Sequence, residues 1–128
     1  EAICNYAVDN PDVTGIGTQM HISADVPRDN IRAMFERMVK TGKKVRVSEL
    51  DVTKGIADQG ELIVYIFDQY LKIVPKEQRG GITFWGVSDK HSWLGFSKEP
   101  LLYDTKYRRK DAYLKLHAYL LEASGLDK

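Results

Sequence analysis

Three short strand-like runs, each followed by an amphipathic helix pattern, constrain this chain more than any other feature. Gly15 to Ile22 reads GIGTQMHI. Ile16, Thr18, Met20 and Ile22 fall on one side, and Gly17, Gln19 and His21 on the other, a period of two that predicts a strand. Pro27 suits a first helical position. Ile31, Met34, Phe35, Met38 and Val39 then recur at helical spacing up to Gly42. Val45 and Val47 predict a short second strand ending at Ser48-Glu49-Leu50-Asp51. Leu62, Ile63, Ile66, Phe67, Tyr70 and Leu71 make the next helix, which Pro75 stops. Gly80-Gly81 lead into a third strand, Ile82-Thr83-Phe84-Trp85. A segment without clear period runs from Gly86 to about Lys106, and a long loop of that kind is often functional. Arg109, Ala112, Tyr113, Leu116, Tyr119 and Leu120 predict a last helix ending near Gly125. The opening, Glu1 to Val8, reads as the end of a helix running into the turn cluster Asp9-Asn10-Pro11-Asp12. Strands alternating with helices predict an α/β fold with a parallel sheet and right-handed crossovers.

The 128 residues match one domain. The net charge of +1 offers no field for nucleic acid or an anionic membrane. No apolar run reaches the roughly 18 residues of a membrane-spanning helix. The first residues show no initiator Met, basic region or apolar stretch, so no signal peptide is expected in them. Gly15-Ile16-Gly17 lacks the third glycine of a dinucleotide fingerprint, and no Walker A pattern is present. His21, His91 and His117 have no metal-ligand spacing, and the single cysteine, Cys4, excludes an internal disulfide. No metal and no cofactor is expected. Arg108-Arg109-Lys110 reads as a solvated face.

In βα units, functional groups collect at the carboxyl ends of the strands. That rim holds Gln19 and His21, then Glu49 and Asp51, then Trp85, Asp89, His91 and Trp93. Taken singly, Glu49 reads as a solvated carboxylate, His21 as a structural histidine and the tryptophans as core. Together, three successive strands end in residues suited to a polar, aromatic-lined cleft.

Four motifs carry a more specific signal: GIGTQMH at 15–21, VSELDV at 47–52, QRGGITFWGVSDKHSW at 78–93 and PLLYDTKYRRKDAY at 100–113. In order and spacing they resemble the C-terminal part of glycoside hydrolase family 10, the endo-β-1,4-xylanases with a (β/α)8 barrel. The resemblance runs from about Asp12 to Tyr119. It implies that residues 1–128 are the C-terminal portion of such a barrel, its sixth to eighth strands. It implies Glu49 as the catalytic nucleophile, His21 as its hydrogen-bonding histidine and Asp51 as the carboxylate holding that histidine. Gln19, Trp85 and Trp93 correspond to substrate-binding positions. Xylan or xylo-oligosaccharides are the implied ligands, and a secreted, extracellular or periplasmic setting the implied location. The chain departs from the family at Leu94, where an arginine is common.

Elementary chemistry agrees with these implied roles. A histidine N–H favours an ionised carboxylate. Asp51, two residues beyond Glu49, projects to the same side and can fix the histidine tautomer. A complete barrel needs eight strands, and a retaining glycosidase needs two carboxyl groups about 5–5.5 Å apart. Asp51 and Asp89 lie near the expected cleft without matching the family's acid/base motif. The isolated chain is therefore expected to be inactive without the segment bearing that glutamate. The alternative is a non-catalytic barrel fragment with a carbohydrate-binding or structural role. Three strands also leave two open sheet edges. Apolar interior positions, from Ile16 or Gly17, Val45 or Val47 and Ile82 or Phe84, would then be left wet. Stability is expected to require the missing N-terminal segment or a symmetric copy covering the edge.

Overall fold

The computed structural model describes residues 1–126. Helix α1 (Ala2–Asp9) precedes strands β1 (Gly15–Thr18) and β2 (His21–Ser23), then α2 (Arg28–Val39), β3 (Lys44–Thr53) and α3 (Gln59–Ile73). Strand β4 (Arg79–Phe84) follows, and a loop with two 3-10 turns leads to α4 (Asp111–Ser124). β1, β2 and β4 all pair with β3 in parallel. β1 and β2 lie end to end along one side of β3, β1 against Lys44–Val47 and β2 against Asp51–Thr53, while β4 takes the other side. The result is an α/β sheet of parallel strands with two open edges, an incomplete barrel. No helix among the described residues is long and apolar enough to cross a membrane.

The core lies between the helices and one face of the sheet. Val45, Val47, Leu50 and Val52 of β3 are fully buried with Phe35, Ile63 and Ile66, each contributing roughly 1.5–3 kcal/mol through burial. Asp58 caps α3 by accepting from the Glu61 amide at 2.9 Å, which satisfies one of the free N–H groups of the first turn. Tyr70 crosses from α3 to the sheet. Its hydroxyl donates to the Val45 carbonyl and accepts from the Gly81 amide, both at 2.8 Å.

Neighbours in register on a parallel sheet share a face, so the pairing shows what the opposite face carries. Ile16, Val45 and Arg79 stand together, as do Val47 and Ile82, and Leu50 and Phe84, all on the helix side. Gly17, Arg46 and Gly81 share the open side, where the Arg46 guanidinium donates to Thr83 Oγ1 at 3.1 Å. The apolar interior layer expected from sequence is thus absent. The open face is small and polar, and what remains unpaired is the backbone of the two edges.

Four boundaries also differ from expectation. The first strand is broken at Gln19-Met20, because Met20 adopts a left-handed backbone with φ of 61°. β3 does not stop near Asp51 but runs ten residues to Thr53. β4 ends at Phe84, and Pro27 caps α2 from just outside it instead of opening its first turn.

Candidate active site

Strict alternation from Val45 and Val47 would turn Glu49 and Asp51 toward the helices. The structure inserts one extra residue in β3 at Ser48-Glu49-Leu50. The register with β1 and β2 advances by one between Val47 and Asp51, and the ladder with β4 shifts between Val47 and Leu50. Such a bulge re-aims every side chain beyond it. Leu50 and Val52 take the helix side, and Glu49 and Asp51 swing to the open side. Across the ladder, His21 is the register partner of Asp51. The strain at Met20 sits at the matching point of the neighbouring chain, a setting in which backbone strain accompanies function. Main-chain bonds hold the break closed: the Glu49 amide donates to the Gln19 carbonyl at 3.2 Å and the Asp51 amide to the Met20 carbonyl at 3.3 Å.

The three side chains form one chain of contacts. His21 Nδ1 lies 3.0 Å from Asp51 Oδ1, and His21 Nε2 lies 3.0 Å from Glu49 Oε2. Asp51 is wholly buried, whereas Glu49 and His21 reach solvent at the cleft. Burial pulls the His21 pKa down, but the hydrogen bonds and negative charges of Asp51 and Glu49 outweigh it and hold the imidazole above its usual 6.5. When the ring is protonated both its nitrogens donate, and each faces a carboxylate oxygen.

Both tryptophans stand in the open, Trp85 48% and Trp93 62% exposed. Trp85 follows β4, its amide donating to the Leu50 carbonyl at 2.9 Å. Gly86 comes next with φ of 131°, a backbone conformation that strains any residue carrying a Cβ, so the turn behind Trp85 calls for glycine. Trp93 and His21 form a T-shaped pair, ring centroids 5.0 Å apart, and the indole Nε1–H donates to Asp51 Oδ2 at 2.8 Å. Gln19 is exposed at the strand break. A groove of about 600 Å³ along the β1 edge reaches from Ile3 past Gly17 to Gln19 and His21.

The remaining candidates lie elsewhere. Asp89 is not in the cleft: it is buried, accepting from the Leu101 amide at 2.8 Å and from Lys110 Nζ at 2.9 Å. Lys110 therefore leaves the solvated face read for Arg108-Arg109-Lys110 and ties the loop after β4 to the start of α4, also donating to the Glu99 carbonyl at 2.7 Å. His91 meets the Tyr107 hydroxyl at 2.7 Å, His117 stacks on Tyr113, and Cys4 is buried on the inner side of α1. Among the described residues no group of three or more histidine, cysteine or carboxylate side chains is placed to hold a metal ion. Sequence reasoning missed the Trp93–Asp51 bond, which joins groups 42 residues apart and leaves no local signal. The bulge did leave one: buried apolar residues at 45, 47, 50 and 52 step by two, three and two.

Fold and site together define a barrel-type α/β protein with a carboxylate–imidazole–carboxylate chain at the carboxyl ends of its strands. The family model of glycosyl hydrolase family 10 matches residues 3–119, and the chain belongs to that family. The match extends the resemblance read from the motifs back into α1. Exoglucanase XynX of Acetivibrio thermocellus is 35% identical over 108 residues, covering 79% of this chain and 10% of its own length. A thermostable mutant of the xylanase Xyn10A of Cellvibrio japonicus superposes with a TM-score of 0.81 at 28% identity, over 93% of this chain and 44% of its own. TsXylA, an intracellular xylanase of Thermoanaerobacterium saccharolyticum, gives 0.77 at 33% identity, over 90% and 37%. The chain thus spans about a tenth of the first of these and under half of the two solved catalytic structures. Because one relative is intracellular, family membership alone does not place this chain outside the cell.

Proposed function

We propose that this chain is the nucleophile-bearing portion of a retaining endo-β-1,4-xylanase. Its strands β1 with β2, β3 and β4 would be the sixth, seventh and eighth of the barrel. The observation that carries the reading is the fully buried Asp51, which faces His21 Nδ1 and so turns the other ring nitrogen toward Glu49. A glycosidase nucleophile must be an anion aimed into a cleft, and a histidine N–H 3.0 Å away favours that form. Glu49 would attack the anomeric carbon, displace the leaving sugar and form a glycosyl ester. Water would then release the ester with net retention. Trp85 and Trp93 offer exposed indole faces suited to the apolar faces of pyranose rings, and Gln19 a polar contact beside them. A xylan backbone is the proposed ligand class, supported by TsXylA, one mutant of which was solved with xylotetraose.

The second carboxyl group comes from outside these residues. Asp51 has both oxygens engaged and no access to solvent, and Asp89 is locked by Lys110. The isolated chain is then inactive, and the segment supplying the remaining strands would bring the acid/base glutamate and cover the open β1 edge. In the assembled barrel, Glu49→Ala should abolish xylan hydrolysis, and azide should restore cleavage with inversion at the anomeric carbon. Near wild-type turnover by that variant would overturn the assignment and leave a carbohydrate-binding fragment as the better reading.

A further inference from the structure

Asp51 is the pivot of the site, and one donor does not suffice to hold it. The terminal torsion of an aspartate is broad and roughly two-fold. A carboxylate fixed through a single oxygen can therefore rotate and let its partner go. Here each oxygen has its own donor: Oδ1 faces His21 Nδ1 at 3.0 Å, and Oδ2 accepts from Trp93 Nε1 at 2.8 Å. Since Asp51 is wholly buried, no solvent can take over either position. The same indole meets His21 in a T-shaped arrangement and remains 62% exposed. The N–H of Trp93 is thus committed to the protein, while most of the indole stays open to solvent.

We propose that Trp93 is a positioning residue for Glu49: its indole N–H locks the Asp51 carboxylate in the orientation that holds His21 against Glu49. Its catalytic consequence rests on the reading of Glu49 as nucleophile, but its geometric content does not. The sequence path is long, from the loop after β4 to the end of β3 to β2, yet the physical path is three hydrogen bonds. The charges acting on His21 are those of Glu49 and Asp51, both on β3, and Trp93 adds a neutral donor from the loop. The requirement explains the residue type. Phenylalanine would offer a sugar the same kind of face but no donor. A sugar stacked on the indole would press on the group that orients the nucleophile, so occupancy of the cleft and alignment of Glu49 are linked.

Trp93→Phe keeps an aromatic face and removes the donor, whereas Trp93→Ala removes both. The first readout is the His21 Nδ1–H proton, observed by NMR in protein labelled with ¹⁵N-histidine. Trp93→Phe should speed its exchange with solvent by at least about tenfold, the lower end of the worth of one hydrogen bond to a charged group, and move its resonance upfield. Asp51→Asn should release the same proton by removing the acceptor charge. The second readout is kinetic, in the assembled barrel. Trp93→Phe should lower kcat by about tenfold with KM for xylotriose unchanged, and Trp93→Ala should raise KM as well. If Trp93→Phe leaves both the His21 proton and kcat as in the wild type, Trp93 serves the sugar alone and the proposal is overturned. Should Glu49→Ala retain activity, the nucleophile assignment fails, while the His21 proton still decides whether Trp93 holds Asp51.

Discussion

Replacing Asp89 by alanine tests whether the loop that carries Trp93 is held by one buried ion pair. The Asp89 side chain is 2% exposed and its partner Lys110 17%. The carboxylate has one oxygen on the Leu101 amide and the other on Lys110 Nζ. Asp89→Ala leaves an ammonium group with little access to water and no counter-ion, and it orphans the Leu101 N–H. Breaking a buried pair from one side costs about 3–5 kcal/mol. With an unfolding entropy of about 2.1 cal/mol/K per residue, the 128 residues give about 0.27 kcal/mol/K. The melting temperature should therefore fall by about 11–19 °C, read by circular dichroism. Asp89→Ala combined with Lys110→Met removes both charges and should recover most of the loss, since a buried pair seldom outperforms apolar groups of similar volume. The Leu101 amide, still unpaired, should keep exchanging faster than in the wild type. If the single variant melts within about 1 °C of the wild type, the pair contributes nothing and the loop is held by something else. If the double variant is as unstable as the single one, the cost lies in lost packing and not in the stranded charge.

Two further outcomes follow from the same structure. Tyr70→Phe removes a hydroxyl bridging the Val45 carbonyl and the Gly81 amide; it should cost about 1–3 kcal/mol in denaturant unfolding, and a change within error of zero would show that the bridge is not needed. The His21 pKa is raised, so the stability it contributes is complete below about pH 6.5, its unfolded value, and is lost as pH rises through the higher folded value. The stability gap between wild type and His21→Gln should accordingly shrink above neutral pH, and an NMR titration of His21 with a midpoint below 6.5 would refute the sign.

Much of the architecture was written in local pattern. The helical spacing of Ile31 to Val39 and of Leu62 to Leu71, and the stops at Gly42 and Pro75, located α2 and α3, because amphipathic periodicity and backbone restrictions act over a few residues. The strand–helix alternation then left a parallel sheet as the consistent arrangement, and the four motifs placed the chain in its family. Register was not legible in this way, because it depends on which residues of two strands meet. The extra residue at Ser48-Glu49-Leu50 decides that Glu49 and Asp51 leave the helix side for the open side; the uneven apolar step from 47 to 50 marks it in the sequence but does not say which residues it pairs. The left-handed turn at Met20 is equally invisible, since methionine does not favour that conformation. The identities of Asp89 and Lys110 suggested a cleft acid and a solvated base; only folding brought them together, where removal from water makes each the other's partner. What the sequence determined by itself was the order of the elements and the chemical types available at the rim. What tertiary structure decided was which oxygen faces which nitrogen, because hydrogen bonds between His21, Asp51 and Trp93 join three separate stretches of chain whose distances are set by the sheet and the loop, not by their spacing along the chain.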